Sequence, residues 1–110
     1  MTKVRFLADS NGIFGFDISG HSSKNSDDEV GKIVCAAVSS AAYMAANTIT
    51  EIIGDECSAE VSEARMRFSV KEPSIQAIAV LEGFKLHITE LSNQYGNNIR
   101  LHGGAEDVKD

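Results

Sequence analysis

The stretch "ISGHSSKNSDDEVGKIVCAAVSSAAYMAA", residues 18–46, changes its hydrophobic period partway along, and that change decides the fold. Leading into it, Phe14, Phe16 and Ile18 alternate with Gly15 and Asp17, the two-residue period of a strand with one buried face. From about Gly31 the steps lengthen to three and four. Val34, Val38, Ala41, Ala45, Thr48 and Ile52 then form an apolar stripe that predicts a helix, with Gly54 suited to its C-terminal end. Between strand and helix the segment 22–32 is polar and acidic, which predicts a loop of the functional or mobile kind.

Upstream, "VRFLA" and "IFGFDI" flank "DSNG", and the Asn11-Gly12 pair predicts a tight hairpin. Downstream, "CSAEV" and "RMRFSV" return to period two, with Cys57, Ala59 and Val61 on one face and Met66, Phe68 and Val70 on another. These predict a second hairpin that turns near Glu63. Pro73 is placed to open a second helix, whose core stripe is Ala77, Leu81, Phe84, Ile88, Leu91 and Tyr95. "YGNN" stops it, "IRL" supplies a last short strand, and residues 104–110 read as a flexible polar tail. The expectation is an α+β fold: a single domain over residues 1–103 in ββαββαβ order, with one mixed β-sheet and two helices packed on it.

Bulk properties narrow the function classes. A chain of 110 residues makes one core rather than two. No run of about 18 uninterrupted apolar residues is present, so no membrane span is expected, and no export signal is read at the N-terminus; the cytoplasm is the expected compartment. There the two cysteines, Cys35 and Cys57, would stay reduced. A net charge of -6 speaks against a nucleic-acid partner, which usually calls for a basic patch. His87 and His102 show no ligand spacing with either cysteine, so neither a metal nor a cofactor is expected. Cys57, at the start of an apolar strand face, reads as core.

Cys35 and His21 admit two readings by residue type. A cysteine among alanines and valines is commonly a small buried hydrophobe, and a histidine after glycine a hydrogen-bonded turn residue. Equally, a thiol near a helix start is favoured as thiolate, and an imidazole in reach can take its proton and return it to a leaving amine. Backbone N–H groups around Cys35 are then candidates for holding a tetrahedral oxyanion. Ser39 lies one turn on, either touching the site or bonding back to the Cys35 carbonyl.

"SGH", followed after a loop by "GKIVCAAVSSA", resembles the bacterial ribosomal-processing cysteine protease family, Prp. The likeness extends from the opening hairpin to "NIRL" at Asn98–Leu101. It implies a homodimeric cysteine endopeptidase that removes the N-terminal extension of a large-subunit ribosomal protein precursor, the twenty-seventh. Cys35 would be the nucleophile, His21 the general base and then acid, and Ser22–Lys32 a cover hinged at Gly20 and Gly31. The family commonly carries Asp three residues before the cysteine, where this chain has Lys32. That ammonium cannot orient a histidine as a carboxylate would, though it can favour a thiolate. Asp27, Asp28 and Glu29 are either a substitute acid or an acidic loop. "SDDE" can also form a capping box from Ser26 to Glu29, which would start the helix earlier. The competing expectation is an uncut-peptide binder: a dimeric module that holds a ribosomal protein tail.

Overall fold

The computed structural model describes residues 1–20 and 29–103. In chain order these form β1 (Thr2–Asp9), β2 (Gly12–Ser19), α1 (Glu29–Asn47), β3 (Cys57–Ser62), β4 (Arg65–Val70), α2 (Ile75–Gln94) and β5 (Ile99–His102). The five strands make one sheet in the order β3-β4-β2-β1-β5. Every pairing is antiparallel except β1 with β5, where the crossover through α2 returns the chain in the same direction. The single mixed sheet with two helices is the architecture expected from the sequence.

Both helices contribute to one core with the sheet. Val4, Phe6, Phe16, Phe68 and Val70 from the strands meet Val34, Val38, Ala42 and Ala45 of the first helix, Ile49 just beyond its end, and Ala77, Leu81, Phe84 and Ile88 of the second. The Phe16 ring centroid lies 4.4 Å from that of Phe84 and 5.5 Å from that of Phe68, so one aromatic cluster joins β2, β4 and α2. Each such ring, fully buried, contributes about 1.5–3 kcal/mol of transfer free energy.

Strict alternation fails in β2 for a local reason. Leu7 pairs with Gly15 while the next residue, Ala8, pairs with Ile13, so Phe14 is the extra residue of a β-bulge. Ile13, not Phe14, therefore joins Phe16 in the core. The α1 stripe is also shifted from expectation, running through Ala42 and Ile49 rather than Ala41 and Ile52. After Asn47 the chain widens into a π-helical turn, Thr48–Ile53, which leaves Ile52 80% exposed. Glu29–Ile53 is long and apolar enough to cross a membrane by length and composition; its stripe packed on the sheet marks it as the core helix of this domain.

Two boundaries differ from the sequence reading. The first helix includes Glu29–Lys32, four residues expected in the loop, with the Glu29 carboxylate in the first turn, where the helix dipole favours it. Gly31, expected as a hinge, is a buried helical residue one turn before Val34. Pro73 precedes the second helix rather than opening it. The N-cap is Ser74, whose Oγ accepts from the Ala77 N–H at 3.1 Å. Asp55 locks this start, since its Oδ2 accepts from both the Ser74 N–H and the Ser74 hydroxyl at 2.9 Å. At the sheet's edge, Val61 points to the helix-bearing face opposite Met66 yet is 58% exposed, because no helix extends over β3.

Candidate active site

Gly54 and Gly20 close the two turns that matter most for the site. Gly54 takes φ +87° and donates to the Ile49 carbonyl, ending the helix that carries Cys35. Gly20, at φ +83°, ends β2 and donates to the Ala64 carbonyl at 2.9 Å, stitching the strand's end to the β3–β4 turn. A Cβ at Gly20 would stand 2.6 Å from the Met1 carbonyl oxygen, so the position excludes any side chain on steric as well as conformational grounds.

This stitching forms one wall of a cleft of about 150 Å³. The opposite wall is the flank of α1 that carries Cys35, Ser39 and Tyr43, which follow at intervals of four and so lie on one line. Ile18 and Met66 form the floor, and the Ser62–Arg65 turn the rim. Such a volume is below the roughly 300–1,000 Å³ of ordinary small-molecule sites.

The structure brings Cys35, Ser39 and Gly20 together. Cys35 is half-buried and opens on the cleft, which removes the reading of it as a sealed core residue. Ser39 is exposed, and among the described residues its hydroxyl makes no bond back to the Cys35 carbonyl. Tyr43 lines the cleft whereas Met44 faces the groove between α1 and α2. Lys32 is exposed in the first turn, one turn before Cys35. His21, Asp27, Asp28, the Ser26 cap and the tail 104–110 lie outside the described residues.

One chemical expectation changes. Cys35 stands in the second turn of α1, where amide N–H groups already bond to carbonyls four residues back and the dipole's influence has faded. The amide of Cys35 is thus not free to hold an oxyanion, and the Ser39 hydroxyl, one turn on along the same flank, is among the donors that line the cleft. The cleft residues that sequence reading missed, Ser62–Arg65, arrive through sheet register alone: Ser19 pairs with Arg65 and Ile18 with Met66. Only the β2–β4 pairing, invisible in a local pattern, could have found them.

Two ionisable groups outside the cleft are shifted. Cys57, at the start of β3, donates from Sγ to the Asp55 carbonyl at 3.3 Å. Burial, reinforced by the Asp55 and Glu56 carboxylates, pushes its thiol up from the ordinary value. Cys57 packs against the core without being sealed in it. Burial raises Asp17 as well, but hydrogen bonds and charge from Arg65 (2.7 Å) and Arg67 (3.1 Å) outweigh it and hold the carboxyl below its usual value. Among the described residues no group of His, Cys, Asp and Glu is arranged to hold a metal.

Comparison with known proteins accords with this geometry. A profile of the family described as Cysteine protease Prp matches residues 1–100. SMU.848 from Streptococcus mutans superposes with a TM-score of 0.84 at 20% identity, over 96% of this chain and 95% of that one. An essential ribosomal processing protease Prp from S. aureus, in complex with a covalently linked product peptide, gives 0.83 at 18% over 94% of this chain and 100% of that one. The same protease with a substrate peptide gives 0.83 at 17%, with the same shares covered. A comparison with the curated proteins finds no match.

Proposed function

The chain belongs to the Prp family of cysteine proteases, and on that premise we propose that it is an endopeptidase that removes the N-terminal extension of a large-subunit ribosomal protein precursor, the twenty-seventh. The observation that carries the reading is the placement of Cys35 on a cleft whose far rim begins at Gly20. His21 follows Gly20 directly in the sequence, and the proposal gives it the role of general base. The S. aureus protease that shares this fold holds a product peptide covalently.

In the proposed reaction His21 takes the Cys35 thiol proton as the sulfur attacks the scissile carbonyl, forming a C–S bond and an oxyanion. The Ser39 hydroxyl donates to that oxygen. Collapse breaks the C–N bond while His21 returns the proton to the leaving amine. Water, deprotonated by the same imidazole, then attacks the thioester and releases the second product and the thiol. Because the helix dipole contributes little in the second turn, thiol activation rests on the histidine, with the Lys32 ammonium as the nearer positive charge on the helix.

The same reading has the protein act in the cytoplasm, where its two unpaired cysteines would stay reduced, and as a homodimer. The groove between the helices, about 730 Å³ and lined by Ala37, Met44, Val80 and Phe84, supports a second copy as its cover, testable by light scattering against concentration.

The test is incubation with a peptide spanning the extension of the host's own ribosomal protein. Cleavage by the wild type, lost in Cys35→Ala and in His21→Ala, supports the protease. Peptide binding without cleavage by the wild type would replace it with the binding module.

A further inference from the structure

The sheet's second face is covered by no element among the described residues, and its side chains are strongly sorted by charge. Strand pairing lays the charged ones out in two cross-strand rows, beside a third, uncharged row of Ser58, Ser69, Gly15 and Leu7. One contains Arg65, Ser19, Lys3 and Arg100, the other Glu60, Arg67, Asp17, Arg5 and His102. Five of the chain's ten lysine and arginine residues thus share this face with two carboxylates, although the chain as a whole carries -6. The acidic residues concentrate elsewhere, on the helices and connections at Glu29, Glu51, Glu56, Glu72, Glu82 and Glu90. Asp17 is occupied by Arg65 and Arg67, while Lys3, Arg5 and Arg100 have no carboxylate partner among the described residues.

We infer that this face binds the phosphodiester backbone of a nucleic-acid duplex, without base specificity. Total charge is a sum over the whole surface, whereas a bound polyanion responds to the face it meets. Successive same-face residues on a strand stand about 6.8 Å apart, twice the roughly 3.4 Å axial step between charges on one duplex strand. Guanidinium groups match phosphate geometry with paired donors. The two rows contain no Phe, Tyr or Trp on which unpaired bases could stack, which favours a duplex over a single strand. They also have no apolar pocket for the anchors of an acidic peptide. The Cys35 cleft lies on the helix-bearing side and shares Arg65 with this face, whereas Lys3, Arg5 and Arg100 do not line it.

The test uses the full chain and fluorescein-labelled 20-base-pair duplexes of mixed sequence, one RNA and one DNA, with a poly-glutamate peptide as the acidic control. Binding of either duplex supports the inference and identifies the source of the backbone. With about four phosphates neutralised, affinity should fall on the order of 100-fold between 50 and 200 mM salt. The double variant Lys3→Glu/Arg100→Glu, at exposed sites away from the cleft, should lose at least 10-fold in duplex affinity with an unchanged melting temperature and unchanged peptide cleavage. No duplex binding at 50 mM salt, binding insensitive to the double variant, or tighter binding of poly-glutamate than of either duplex would overturn it. None of these outcomes touches the proposed protease activity, which the cleavage assay reads separately.

Discussion

Cys35 and Cys57 are both half-buried, yet the structure sets them in different surroundings. Cys35 lies on the flank of a rigid helix and opens on a cleft beside a hydroxyl. Cys57 begins an edge strand, donates a hydrogen bond to the Asp55 carbonyl, and has its thiol pushed up by burial and then by the Asp55 and Glu56 carboxylates. The contrast teaches that exposure does not make a nucleophile. The sign of the neighbouring charge and the space in front of the sulfur do.

The comparison breaks most sharply by truncation. Cys35→Ala should lower peptide cleavage by at least about 10³-fold, as removal of a nucleophile does, while Cys57→Ala keeps cleavage within a few-fold. Equal losses in both, measured as kcat/KM, would erase the distinction. The next largest effect concerns the cleft's far rim. Gly20→Val puts a branched side chain at φ +83° and against the Met1 carbonyl, and should cost about 1–3 kcal/mol by urea denaturation. Gly54→Ala, at φ +87° but with open space around it, should cost only about 1 kcal/mol.

On the Cys57 side, Asp55→Ala removes the acceptor of both Ser74 donors and should destabilise by roughly 1–2 kcal/mol. The same change takes away a carboxylate that raises the Cys57 thiol, so the pH midpoint of its iodoacetamide labelling should move down. The smallest effect is the Asp17 clamp beneath the cleft rim. Its carboxyl is depressed in the folded protein, so its contribution to stability is present above the unfolded value of 3.8 and is lost as pH falls through the lower, folded one. Asp17→Asn should flatten that portion of the urea-midpoint curve and leave the neutral-pH portion parallel to the wild type.

These regions also differ in how far they could be read beforehand. Ala77, Leu81, Phe84 and Ile88 were legible because a helix buried along one face repeats its apolar residues without interruption. Phe14 misled because a bulge inserts one residue and moves the core position to Ile13, and nothing in a two-residue period announces that. Ala59 and Val61 misled differently: the side of β3 that they occupy is the right one, but the edge strand lies beyond the helices. Within the site, Cys35 was found through its segment's resemblance to a family, while its depth in the helix depended on where α1 starts, a boundary that polar residues mark poorly. The β3–β4 turn could not be found, since it reaches the cleft only through strand register.

The central claim is that Cys35 alone among the two thiols is an acylating nucleophile. It is tested most directly by treating the native protein with a precursor-derived peptide bearing a C-terminal electrophile, then mapping the modified residue by mass spectrometry. The expected result is a stoichiometric adduct on Cys35, formed slowly or not at all in His21→Ala, with Cys57 unmodified. An adduct distributed over both cysteines at equal rates, or one on Cys35 that forms as fast without His21, would contradict the account.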